Sequence, residues 1–145
     1  MGRVLTALDT AGISNNTLVV WFGDNGGDET KGSLNDPLRG TKGDGYDGAI
    51  HEVAGIRWPG VLPSGVVSQQ YVWVGDLFPT LCAATGVAAQ NTKPFDGLNL
   101  WSALLSAGNS TSVPRPSPMV TATAIPSAFH SFTDPVGGGT KVFKL

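Results

Sequence analysis

The sequence is short of thiols, imidazoles and charge. Its 145 residues include one cysteine, Cys82, and two histidines, His51 and His130. One thiol excludes an internal disulfide framework and any cysteine-based zinc site. Charged residues make up 14% of the chain, against about 25% in an average globular domain. With a net charge of -2 and no basic block, the chain lacks the electrostatic footprint of a nucleic-acid surface. No apolar stretch reaches the length of about 18 residues that a membrane span needs. Met1 to Thr6 do not open an apolar run of roughly 7–15 residues, so no signal peptide is read there. Gly2 with Thr6 fits the myristoylation pattern loosely, but Val4, Leu5, Leu8 and Ile13 are better read as one face of a helix. The scarcity of charge, with many loops, suggests surface that something else covers. Hydrophobic residues, at 41%, exclude disorder throughout the chain.

What is abundant is punctuation: 20 glycines and 10 prolines. A helix is expected over residues 2–13, ending near Gly12, before the turn signal Asn15-Asn16. Thr17-Leu18-Val19-Val20-Trp21-Phe22 reads as a strand buried on both faces, as strands of a parallel sheet are. Residues 23–48 are polar, Gly-rich and aperiodic, the kind of long loop that is functional or disordered. Val53 to Trp58 reads as a second strand, closed by Pro59-Gly60. Asp76 to Gly86 reads as a helix with Asp76 as N-cap, Pro79 in the first turn and Gly86 as C-cap. Leu98 to Leu105 reads as a further helical piece. Residues 108–118 form a Ser/Thr/Pro-rich linker. Met119 to Thr123 and Thr140 to Leu145 read as strands. The alternation is that of an α/β protein.

Two clusters carry chemistry. Asp24-Asn25-Gly26-Gly27 follows the first strand, and ligands of open α/β sheets bind outside the carboxyl ends of strands. A carboxylate beside an amide carbonyl offers two hard oxygens, suited to Ca²⁺ or Mg²⁺ and not to zinc. Taken alone, Asn-Gly is more readily a hairpin turn. The second cluster is Pro37-Leu38-Arg39-Gly40-Thr41-Lys42-Gly43, followed by Tyr46-Asp47-Gly48-Ala49. A glycine-rich loop with a lysine can present an ammonium and backbone N–H groups to a tetrahedral oxyanion; alone, it is more readily a solvated surface loop. It is not a Walker A loop, because the glycine and Ser/Thr spacing around Lys42 is missing.

Order and spacing join the clusters. Asn16 to Gly27, Pro37 to Gly43, Tyr46 to Ala49 and Gly55 to Gly60, with Gly2 to Asp9 before them and Asp76 to Leu81 and Asp96 to Trp101 after, together resemble the sulfatase family. The similarity is to type I arylsulfatases of the alkaline phosphatase-like superfamily, and it covers residues 2 to about 105. It implies part of an alkaline phosphatase-like mixed sheet flanked by helices. Residues 1–107 would form the C-terminal part of the catalytic domain, residues 108–118 a linker, and residues 119–145 the start of a small α+β region. The activity implied is sulfate ester hydrolysis. Asp24 and Asn25 match two calcium ligands of the family, and Lys42 matches the lysine that binds the sulfate group. The cofactor implied is Ca²⁺.

The family's nucleophile is a formylglycine made from Cys or Ser in a Cys-x-Pro-x-Arg segment, and no such segment occurs here. Cys82 is followed by Ala83-Ala84-Thr85 and does not match. No catalytic residue is therefore assigned within the chain, which is expected to be a fragment, inactive alone, whose partner is the missing N-terminal part of the domain. Asp47, Ala49 and His51 stand where Glu, Gly and Arg are usual, so the wall after Lys42 is altered. His51, Glu52 and His130 are read as structural. The alternatives are a truncated interaction domain and a phosphodiesterase-like member of the superfamily; Asn25, where such enzymes commonly have His, argues against the latter. The sequons at Asn15 and Asn109 would allow glycosylation in a secreted or lysosomal protein.

Overall fold

A computed structural model describes residues 1–90 and 93–107, and the strands of residues 119–121, 127–133 and 140–144. It divides into two compact units, one of Met1–Leu18 with Arg57–Val113, the other of Val19–Ile56 with Pro114–Leu145.

In the first unit, α1 covers Gly2–Thr10. It ends earlier than the apolar spacing suggests, because Gly12 turns the chain at φ 70°. Leu5 and Leu8 are its more covered positions, while Val4 and Ile13 stay about half exposed. The turn Ser14–Asn16 follows. The carbonyl of Asn15 accepts the indole N–H of Trp58 at 2.9 Å, and Trp58 packs against Trp101 with ring centroids 6.0 Å apart.

The short helix α2, Asp47–Ile50, belongs to the second unit, and the longest helix of the first, α3, spans Val74–Thr85. It begins two residues before the expected Asp76. Trp73 is the N-cap, and Asp76 is the third helical residue, whose carboxylate accepts the Trp73 N–H at 2.7 Å. The other oxygen of Asp76 accepts the N–H of Leu98 at 2.8 Å. One turn on, the Thr80 hydroxyl accepts the Leu100 N–H at 2.9 Å and donates to the Leu98 carbonyl at 3.3 Å. Residues 98–100 are therefore held along α3 without helical structure, and helix α4 starts only at Trp101, running to Leu105. Pro79 lies inside α3, not in its first turn. Having no N–H, it leaves the Gly75 carbonyl without its helical partner. Gly97 packs against that carbonyl so closely that a Cβ there would overlap it. Asp76 (0% exposed), Leu100 (1%), Pro79, Thr80 and Ala103 make the core of this unit.

In the second unit, β1 is Val19–Phe22 and β2 is Ala54–Arg57, the latter reaching the unit boundary. They form a two-stranded sheet. The N–H of Gly23, just past β1, donates to the carbonyl of Val53, just before β2; the end of one strand meets the start of the other, so the pair is antiparallel. The expected two-sided burial of β1 is not met in this chain, where Trp21 is 40% and Phe22 48% exposed. Between the strands lie the turn Glu29–Lys31 and the short helix α2, Asp47–Ile50. Both fall in a stretch whose apolar residues show no helical spacing.

Strands β3 (Met119–Thr121), β4 (Ser127–Thr133) and β5 (Thr140–Lys144) form an antiparallel sheet in that order. β3 and β5 lie where the sequence suggests. β4 was not anticipated, since Ser127 to Thr133 does not alternate apolar with polar residues. His130 pairs with Phe143 through the backbone. The linker 108–118 and Asn109 lie outside the described residues.

Candidate functional site

The loop that leaves β1 carries Asp24, exposed, and Asn25, half-buried. The Asn25 side-chain amide donates to the Gly26 carbonyl at 2.9 Å, which leaves its oxygen as the atom able to face a cation. Gly26 is pinned to α2: its N–H donates to the Ala49 carbonyl at 2.8 Å. A Cβ at Gly26 would overlap the Gly48 carbonyl, and one at Gly48 would overlap the Gly40 carbonyl. Gly48 N–H donates to Arg39 at 2.7 Å. Three backbone segments, around residues 26, 40 and 48, thus lie against one another with no side chain between them. Only glycine permits such an approach.

The segment bearing Lys42 joins the same cluster. Lys42 N–H donates to the Gly27 carbonyl at 3.1 Å, as does the Thr41 hydroxyl at 3.1 Å. Lys42 itself is exposed. Arg39, the other cation of the loop, turns elsewhere. Its guanidinium lies 3.9 Å from the centre of the Tyr46 ring and donates to the Tyr46 hydroxyl at 3.0 Å. Asp44 accepts the Thr41 N–H at 2.9 Å.

The structure thus brings the Lys42 backbone to Gly27, two residues beyond Asn25. Cys82 is half-buried on α3 of the first unit. His51 follows α2, and its N–H donates to Asp47. Glu52 is half-buried, with its carboxylate against Gly23, where a Cβ would overlap it. Among the described residues no group of three or more His, Cys, Asp and Glu is placed to hold a metal ion. The donors that Asp24 and Asn25 supply are hard oxygens, which fit Ca²⁺ in kind but provide only part of its shell of about six to eight.

Two residues of this site were not read from the sequence. Asp28 accepts from the Thr30 hydroxyl at 2.6 Å and the Thr30 N–H at 3.0 Å, and pairs with Lys31 at 3.5 Å. The Thr30 hydroxyl, with further help from Lys31 and the charge of Lys42, holds the Asp28 carboxyl below the usual carboxylate range. The other is Asn35, whose amide bonds to both Gly27 and Gly40. The only cue to it was its place inside a long loop, which says nothing about what its side chain reaches.

The sulfatase family model matches residues 1–87. The chain belongs to the sulfatase family. Among its relatives, N-acetylgalactosamine-6-sulfatase of Canis lupus familiaris is 35% identical over 109 residues, 72% of this chain and 21% of that protein. Arylsulfatase A of Homo sapiens is 35% identical over 113 residues, covering 76% and 22%. Arylsulfatase J of Mus musculus is 33% identical over 99 residues, covering 68% and 17%. The chain therefore spans about a fifth of the length of these relatives. Among solved structures, Ps i-CgsB in complex with k-i-k-neocarrahexaose matches with a TM-score of 0.78 and 25% identity, over 98% of this chain and 33% of that one. The α/β fold expected from the sequence is shared with this solved structure. Among the described residues no helix is long and apolar enough to cross a membrane.

Proposed function

We propose that this chain carries part of the active site of a sulfuric ester hydrolase. In this reading Asp24 and Asn25 hold one Ca²⁺ and Lys42 binds the sulfate group. The observation that carries it is the bond from Lys42 N–H to the Gly27 carbonyl, which ties the lysine segment to the loop of the two oxygen donors. A bound cation would supply Lewis acidity and a template for the sulfate oxygens. Lys42, exposed and flexible, can neutralise charge on the ester and sulfate oxygens. Arg39 is held by Tyr46 and serves to fix the loop.

Residues 1–107 are read as the C-terminal part of the catalytic domain, followed by a linker and the start of a C-terminal region. The nucleophile segment, absent from these 145 residues, would come from the rest of the catalytic domain. Asn15, exposed on its turn, is available for glycosylation if the protein is secreted or lysosomal.

The test is a pair of substitutions in a full-length relative, at the positions equivalent to Lys42 and Arg39. Lys42→Ala should lower kcat/KM on an aryl sulfate by about 100-fold or more, as loss of an oxyanion-stabilising group does. Arg39→Ala should cost less. Equal or reversed effects would mean that the wrong cation has been assigned.

A further inference from the structure

Asn35 lies midway along the loop between β1 and β2, half-buried, and spends its whole amide on two backbone segments. Its oxygen accepts the Gly27 N–H at 2.8 Å. Its NH₂ group donates to the Gly27 carbonyl at 2.9 Å and to the Gly40 carbonyl at 3.0 Å. With Gly27 it forms the two-bond pairing that a neighbouring strand would otherwise provide. Gly27 stands two residues after Asn25, and Gly40 two residues before Lys42.

From this geometry we infer that Asn35 is a positioning residue. It sets the spacing between the Asp24–Asn25 donors and Lys42, so that one sulfate can meet both Lys42 and a cation held by those donors. The inference rests on the sulfate-binding reading of Lys42 above. Only a primary amide suits the place, since it must accept one bond and donate two. Aspartate has the same shape but neither donor, and would set a carboxylate oxygen against two carbonyls. The Gly27 carbonyl also receives Lys42 N–H and the Thr41 hydroxyl. Releasing it would therefore loosen the lysine segment directly.

The experiment uses the ¹⁵N-labelled 145-residue chain, titrated with sodium sulfate at constant ionic strength in excess CaCl₂, and followed at the Lys42 amide. Wild type should show a saturable sulfate shift that Lys42→Ala abolishes. Asn35→Ala should weaken the apparent sulfate affinity by about tenfold, the effect of losing one or two net hydrogen bonds. Amide hydrogen exchange supplies a second arm. In Asn35→Ala and in Asn35→Asp the Lys42 amide should exchange about ten times faster or more. The Gly26 amide, bonded to Ala49, should not change. Sulfate affinity within twofold of wild type in Asn35→Ala overturns the inference and leaves Lys42 as the sulfate ligand. Equal acceleration at Gly26 and Lys42 overturns it too, since Asn35 would then be holding up the whole loop. A wild-type chain with no Lys42-dependent sulfate shift overturns the underlying reading, and the role of Asn35 with it.

Discussion

In the first unit, Asp76 and Thr80 fasten residues 98–100 to α3 from inside a covered core. In the second, Asn35 fastens Gly27 to Gly40 within a half-exposed loop. Both use polar side chains in place of a strand ladder, to hold backbone that no regular element would hold. They differ in what surrounds the bonds. Asp76 is fully buried, in a core that also holds Leu100, Ala103 and Pro79. Around Asn35 the neighbours are glycines and exposed polar residues, and Lys42 stands out into solvent. A buried polar group is costly to leave unmatched, so the first arrangement bears on stability. The second sets where the exposed side chains Asp24 and Lys42 stand.

That contrast can be broken by substitution, and the largest effect is expected at Asp76. Asp76→Ala leaves the N–H groups of Trp73 and Leu98 without partners in a covered site. It should cost about 3 kcal/mol or more of unfolding free energy, read as a lower urea midpoint of the 145-residue chain. A midpoint within experimental error of wild type would remove Asp76 from the core.

Gly48→Ala comes next. Its Cβ would overlap the Gly40 carbonyl, backbone that cannot swing aside as a flexible side chain can. Overpacking of this kind costs about 1–3 kcal/mol. The loss should fall on the loop, seen as faster exchange of the Gly26 and Lys42 amides, with the Leu98 and Leu100 amides unchanged. If Leu98 and Leu100 accelerate equally, the two regions do not have separate stabilities.

The smallest effect is electrostatic. The Asp28 carboxyl is held below its ordinary range chiefly by the Thr30 hydroxyl. Its contribution is complete above the usual carboxylate range and is lost as pH falls through the lowered value. Thr30→Val should raise the Asp28 titration toward that of an unperturbed aspartate, read by carboxyl ¹³C shifts. An unmoved titration would assign the shift to the Thr30 N–H, which valine keeps, and to Lys31 and Lys42.

Legibility in the sequence followed the same division. Elements marked by periodicity or apolar runs were readable, as with α1, β1, β2 and α3. Their ends moved where a side chain reached across the chain: Asp76 looks like a cap, but its carboxylate also holds Leu98, more than 20 residues away. The non-helical run 98–100 reads as helix because Leu98 and Leu100 are apolar, and nothing local shows that Thr80 will capture their backbone. β4 was missed because its residues carry no alternation. At the site, Asp24, Asn25 and Lys42 stood out through motif order, as did the glycines between them. Asn35 did not, since an amide in a polar loop looks like any other until its partners are known. The exposure of Trp21 and Phe22 in so apolar a strand was equally hidden, because burial depends on what lies over the sheet.

The central claim, that Asp24 and Asn25 offer part of a calcium site beside Lys42, is tested most directly by calorimetric titration of Ca²⁺ into the purified chain. Two ligands out of the usual six to eight predict weak binding, with a Kd of about 10⁻⁴ M or weaker. The heat should vanish in both Asp24→Ala and Asn25→Ala. Micromolar affinity that survives both substitutions would contradict the assignment.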